Sequence, residues 1–145
     1  MESKKEITKN LLANSFKKLI LDIPFKNITI KMITDKSKVI RPTFYHHFKD
    51  KYEVLEYIVD EDIMKNIYEM VDSDMEYESL KIIFIRLEKN REFIKKAFKV
   101  EGQNSFKEIL GYKIYNIFIR IIDYLYLDKY FYKKAFNLIF IYRKN

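Results

Sequence analysis

Residues that interrupt helices are nearly absent from this chain. Its 145 residues include only two glycines and two prolines, whereas 48% of them are hydrophobic. All-β folds need many tight turns, and turns favour Gly and Pro. The composition therefore predicts an all-α protein, with long helices, short connections and enough apolar residues for a core.

Apolar residues recur at intervals of three and four along most of the chain, which is typical of amphipathic helices. A helix is predicted at 4–22 and is stopped by Pro24. Gly102 marks a later break, and an acidic stretch at 72–78 is predicted to hold a loop. The remaining predicted helices are 29–36, 40–48, 51–71, 78–89, 91–99, 104–126 and 128–142.

The segment at 28–33 is ambiguous, because its alternation of apolar and polar residues is also typical of a short strand. A helix there would use Thr29 as its N-cap and pack Ile30 and Ile33 on one side. A single strand without a neighbouring strand cannot satisfy its backbone hydrogen bonds. We therefore predict a helix.

Positive charge is concentrated in the first third of the chain. Residues 1–55 carry 12 Lys and Arg against 6 Asp and Glu, whereas residues 56–145 carry 16 against 15. A basic end on a nearly neutral body indicates a polyanionic partner. The alternative is that the lysines only form a solvated surface.

Several classes of protein are disfavoured. The chain has no Cys, its N-terminus has no apolar segment of a signal peptide, and no apolar run approaches the roughly 18 residues of a membrane helix. The adjacent His46 and His47 point about 100° apart on a helix and cannot easily share a metal ion. An enzyme using these histidines with Asp50 would lack a nucleophile and an oxyanion donor. We therefore expect a cytoplasmic protein that is not an enzyme and has no cofactor, metal or membrane partner.

The stretch from Thr29 to Leu55 predicts two short helices across a tight turn, with longer helices on either side, which is the layout of a DNA-binding helix-turn-helix. In the second short helix, Phe44 and Phe48 share a face that would point inward with Val39. The outward side chains would be Arg41, Thr43, Tyr45 and His46. Lys49 and Lys51 follow, where they could reach phosphates.

The run VIRPTFYHHFKDKYEVL, Val39 to Leu55, resembles the recognition-helix signature of TetR-family regulators. The spacing from Ile7 to Lys51 is also similar to that of the family's DNA-binding domain. A second stretch, Asn90 to Leu110, resembles a subgroup that includes regulators of dihydroxyacetone kinase operons. The resemblance implies a homeodomain-like three-helix DNA-binding domain at residues 1–50. It implies a helical ligand and dimerisation domain at residues 51–145.

The resemblance also implies a role for each matching residue. Thr29 would bind a phosphate of double-stranded DNA through its hydroxyl and backbone N–H, whereas Tyr45 and Lys51 would anchor other phosphates. Arg41 and Thr43 would lie at or near base edges, because base contacts select sequence while phosphate contacts fix register. The other predicted DNA-binding residues are Lys38, Pro42, His46 and Lys49.

Two departures from the family pattern are evident. Ile40 stands where family members often have a polar N-cap. Family members also usually continue into a further long helix that completes the dimer interface, so we expect a shortened C-terminus here. A lone helix-turn-helix has limited specificity, which still predicts a homodimer. The apolar residues expected to form its interface are Phe131, Phe136, Leu138, Ile139, Phe140 and Ile141.

The function of the second half is left open by its pattern. Its aromatic-rich stripes, which include Tyr57, Phe84, Leu87 and Phe118, are compatible with an effector cavity or with a dense core. We expect control by a small-molecule effector or a partner protein. The alternative function is a helical protein-interaction module, or a shortened regulator that has lost operator binding.

Overall fold

A computed structural model describes residues 3–142 of the chain, with side chains up to residue 126. This part of the chain is almost entirely helical and contains no strand, which confirms the predicted fold class. The helices are α1 (Lys4–Asp22), α2 (Ile30–Ser37), α3 (Arg41–His47), α4 (Lys51–Val59), α5 (Ile67–Asp72), α6 (Glu76–Lys89), α7 (Arg91–Ala97) and α8 (Phe106–Tyr142).

The first helix organises the N-terminal part of the fold. Ser3 and Glu6 form a capping box at its start, because each side chain binds the other residue's backbone N–H. Leu12, Phe16 and Ile20 are buried on one face of α1, and this helix packs against α2, α3, α4 and α7. Helix α1 therefore joins the helix-turn-helix to the rest of the protein through one continuous apolar core.

The prediction of a single helix at 51–71 is wrong. A π-helical segment, Asp60–Met64, follows α4, and Asn66 then adopts a left-handed backbone conformation with φ of 61° before α5 begins. Asn tolerates that conformation better than most residues. Arg86 of α6 donates to the carbonyl oxygens of Ile63 at 2.8 Å and Lys65 at 2.7 Å, and so satisfies backbone groups that the interrupted helix leaves free.

Ion pairs also hold this π-helical segment against other helices. Lys17 of α1 binds Asp62, and Lys113 of α8 lies 2.7 Å from Asp60. Both basic side chains are largely shielded from solvent, so these pairs are screened less than surface pairs. Helices α1, α6 and α8 thus converge on one irregular segment.

The two predicted helices 104–126 and 128–142 form one helix, α8. No Gly or Pro lies between them, so nothing in that stretch forces the backbone to turn. A turn at Gly102, where φ is 95°, precedes α8. The interface side chains predicted between 131 and 141 lie outside the described ones. Within residues 3–142, no helix is both long enough and apolar enough to cross a membrane.

Candidate nucleic-acid interface

The helix-turn-helix consists of α2, a tight turn and α3. Thr29 is the N-cap of α2 as predicted, and its Oγ1 accepts a hydrogen bond from Met32 N at 3.2 Å. The turn closes at Lys38, which has a left-handed backbone with φ of 57°. Val39 N donates to Thr34 O at 3.1 Å across this turn. Both Thr29 and Lys38 are exposed, at the two ends of α2.

The inner and outer faces of α3 are those that the spacing predicts. Phe44 is fully buried and Phe48 is 2% exposed, whereas the neighbouring Tyr45 is 50% exposed. Phe44 meets Phe48 at 5.9 Å between ring centroids, and its ring is met edge-on by that of Tyr45 at 5.5 Å. One aromatic face therefore holds α3 to the core while Tyr45 remains on the surface.

Arg41 and Tyr45 interact on the outer face of α3. Arg41 Nη2 lies 3.2 Å from Tyr45 Oη, and the guanidinium carbon is 5.6 Å from the ring centroid. The two residues are four apart, so they are neighbours on the helix surface. This contact limits the rotamers of both long side chains before any ligand arrives. Pro42 and His46 are exposed beside them, and Thr43 is half-buried.

The start of α3 departs from a well-capped helix. Ile40 occupies the N-cap, makes no side-chain cap hydrogen bond and is 69% exposed. It therefore neither caps the helix nor packs into the core. Pro42 lies in the first turn, where its missing N–H costs little.

His47 is on the partly buried side of α3. Its Nδ1 is buried without a hydrogen-bond partner among the described residues, and its ring lies 5.1 Å from that of His46. Burial lowers the pKa of His47, and the nearby charges of His46, Lys9 and Lys5 lower it further. His47 is therefore neutral near pH 7, and His46 is exposed beside it.

The segment after α3 is ordered by Asp50, a role that the sequence analysis missed. Its Oδ1 accepts from Tyr52 N at 2.8 Å and Glu53 N at 3.0 Å, and it is the N-cap of α4. Lys49 N in turn donates to Glu53 Oε2 at 2.5 Å. An Asp followed three residues later by Glu is a capping signature that could have predicted this contact. The exposed side chain of Lys49 extends from this fixed backbone.

Lys51 is placed differently from what the sequence suggests. Its Nζ lies 2.7 Å from Phe25 O and 2.9 Å from Ile28 O, and it also lies 4.4 Å from the centroid of the Phe25 ring. Burial lowers the pKa of Lys51, whereas the carbonyl contacts favour its charged form. Since these contacts engage the ammonium inside the protein, this geometry does not support Lys51 as a phosphate contact.

In the described part of the chain, several cations on and beside α3 have no carboxylate paired with them. Lys38, Arg41 and Lys49 have no ion pair among the described residues, whereas Lys31 on α2 is paired with Asp35 at 2.6 Å. Within the same described part, no group of three or more His, Asp or Glu residues could hold a metal ion. Three unneutralised cations thus surround the outer face of α3.

Comparison with known proteins shows what this arrangement is similar to. Residues 17–58 match the family model described as bacterial regulatory proteins, tetR family. The chain is also 28% identical over 95 residues to the "HTH-type dhaKLM operon transcriptional activator DhaS" of Lactococcus lactis subsp. lactis (strain IL1403). That match covers 66% of this chain and 51% of the relative, so it spans about half of the relative's length. No solved structure shows a significant match. The helix-turn-helix thus lies within the residues that match the model of the tetR family of bacterial regulatory proteins.

Proposed function

We propose that this chain regulates transcription in the cytoplasm by binding double-stranded operator DNA, with α3 lying in the major groove. The observation that carries the proposal is the outer face of α3, where Arg41 and Tyr45 are exposed on a helix fixed from behind by Phe44. A rigid helix with polar groups on one face suits the reading of base edges.

Base contacts are assigned to Arg41 and Thr43, with Pro42 and His46 packed against the groove. An arginine in this position can donate two hydrogen bonds to guanine, which is the commonest specific contact. Its hydrogen bond to Tyr45 orients the guanidinium, so less conformational entropy is lost on binding. Thr43 is half-buried, and its short side chain would contact a base edge that lies close to the helix.

Phosphate contacts are assigned to Thr29, Lys38, Tyr45 and Lys49. The N-terminus of α2 has backbone N–H groups without intrahelical partners, and such groups attract anions. The exposed lysines at 38 and 49 add positive charge on either side of α3. These residues would fix the register of the protein on DNA without selecting its sequence.

We further propose a symmetric homodimer, whose control by a small effector or a partner protein resides mainly in residues 51–145, outside the DNA-binding domain at 1–50. Exposed apolar side chains recur on α8 at intervals of three and four, and they are Tyr112, Tyr115, Ile119, Ile122 and Tyr126. This pattern resembles the seam of a coiled coil and would bury well against a twin helix. The same α8 seam favours the alternative function, a module that binds another protein.

Selection from a random duplex library tests the proposed function. The full chain is expected to enrich a defined sequence, and Tyr45→Ala is expected to lose most affinity for it while remaining folded. Tyr77→Ala is the matched control, because Tyr77 on α6 is also exposed but lies outside the helix-turn-helix. Failure to enrich any sequence, or equal losses in the two variants, would contradict operator binding and favour the interaction module.

A further inference from the structure

We infer that the cavity where α1, α4 and α7 meet binds a small organic anion with an apolar body. The cavity has a volume of about 630 Å³ and opens beside the 3-10 turn at Phe25–Asn27. Cavities of this size accommodate typical small ligands. The site lies where the link between α1 and α2 faces the end of α7.

The charges around the cavity favour an anion. Lys26, Lys96 and Lys99 line it, and none of their ammonium groups makes a hydrogen bond or ion pair with the residues that the structure describes. Two carboxylates, Asp22 and Glu101, also line the cavity but are not within ion-pair distance of these lysines. Three unneutralised cations around one concave space attract a negative group.

The apolar wall indicates the other part of the ligand. Ile23, Phe25 and Val100 line the cavity between the lysines, and Val100 is only 3% exposed. Lys51 also borders the cavity, but its ammonium is engaged by backbone carbonyls and is not available to a ligand. An aryl or alkyl group could therefore pack on the wall while its phosphate or carboxylate faces the lysines.

Occupancy of this cavity would connect two parts of the protein. Lys96 is in the last turn of α7 and Lys99 follows that helix, whereas Lys26 lies in the link that leads into Thr29 and α2. An anion shared by both sets would restrain α2 relative to α7. This last step, an effect on DNA binding, rests on the proposed function, whereas binding itself does not.

Phenyl phosphate is the probe for the test, titrated into the DNA-free chain and followed by amide chemical shifts. We expect saturable shifts at Ile23 and Val100, and weaker binding of inorganic phosphate, which lacks the apolar body. In Lys96→Gln/Lys99→Gln the dissociation constant should rise by about tenfold or more, because two charge-assisted contacts are lost. Lys95→Gln/Lys107→Gln removes two charges outside the cavity and should leave binding unchanged.

The results that would overturn this inference differ from those that would contradict operator binding. Absent or unsaturable shifts, shifts confined to the apolar residues of α8, or equal weakening in both double variants would overturn the inference. A parallel titration with duplex DNA tests whether these lysines bind a free organic phosphate or the phosphates of the DNA backbone. If Lys96→Gln/Lys99→Gln weakens DNA binding while phenyl phosphate does not bind, these lysines belong to the DNA surface and the inference is wrong.

Discussion

The ammonium nitrogen of Lys51 lies 2.7 Å from the carbonyl oxygen of Phe25, which connects the start of α4 to the link between α1 and α2. That link is a 3-10 turn in which Phe25 O also accepts a hydrogen bond from Ile28 N at 3.1 Å. The same ammonium reaches Ile28 O, one residue before the N-cap of α2. Lys51 thereby positions the residue proposed to bind a phosphate, Thr29.

Replacing Lys51 should therefore reduce stability. Lys51→Met keeps the apolar stem but removes the contacts with the carbonyls of Phe25 and Ile28, and we expect the free energy of unfolding to fall by about 1–3 kcal/mol. Lys49→Met is the control, since Lys49 is exposed, and it should change stability by less than about 0.5 kcal/mol. Urea denaturation measures both. Equal stabilities would show that the Lys51 contacts are energetically unimportant.

Phe44 and Tyr45 are adjacent in sequence, yet substitution of Phe44 should affect mainly the fold. Phe44→Ala removes a fully buried ring and is expected to lower the free energy of unfolding by about 3–5 kcal/mol. Tyr45→Ala is the control and should lose much less, because half of Tyr45 is exposed. Thermal or urea unfolding followed by circular dichroism measures the difference. If Tyr45→Ala lowered the free energy of unfolding more than Phe44→Ala, the assignment of the inner and outer faces of α3 would be wrong.

The helix-turn-helix was predictable because its signals are local. Thr29, Pro42 and the pair Phe44 and Phe48 fix helix starts and an inner face within a few residues. The inward turn of Lys51 was not predictable, because the carbonyls that it binds are more than twenty residues away in sequence. A charged side chain near a helix-turn-helix suggests a phosphate contact until its tertiary partners are known.

The interruption after α4 illustrates the same limit. Apolar spacing through 51–71 is compatible with one helix, and Asn66 is not a strong helix breaker. The irregular segment is stabilised by Arg86, Lys17 and Lys113, which come from three other helices. Such a break depends on tertiary contacts that short-range periodicity does not contain.

DNA binding should weaken steeply as salt concentration rises. Each neutralised phosphate contributes about 0.9 to the slope of log affinity against log salt. Lys49→Gln should reduce this slope by about one per protomer without changing sequence preference, because the contact is made to the backbone. Lys31→Gln serves as the control, since Lys31 is already paired with Asp35. Fluorescence anisotropy over a salt series would contradict the assignment if the Lys49 variant kept the original slope.

Because the Nδ1 atom of His47 is buried, we predict that the stability of the fold depends on pH. Burial lowers its folded-state pKa below the ordinary value of about 6.5, so the unfolded chain binds a proton more readily. Stability should consequently fall as the pH drops below that value, and it should recover on return to pH 7. His47→Gln should flatten the curve between pH 7 and pH 5, whereas His46→Gln should retain most of the slope. Unfolding midpoints in urea across this range test the prediction, and an unaltered slope in His47→Gln would assign the dependence to other groups.

The seam on α8 predicts self-association. Tyr115, Ile119 and Ile122 are between 38% and 61% exposed, and their spacing places them along one strip of the helix. Exposure of such an apolar strip to water is unfavourable. An isologous contact between two copies would bury the strip of each copy against that of the other. We expect sedimentation at micromolar concentration to give a species of twice the 17.8 kDa chain mass.

Substitution within the α8 seam distinguishes this interface from others. Ile122→Glu places a charge in the strip and should shift the equilibrium to monomer, because a buried unpaired carboxylate is costly. Lys107→Glu changes charge on an exposed part of the same helix and should leave the dimer intact. If the unsubstituted chain sediments as a single 17.8 kDa species, the dimer fails, and so does the two-fold symmetric operator that two related copies would bind. If Ile122→Glu remains dimeric, two copies associate through another surface, and the α8 seam becomes available for a different protein partner.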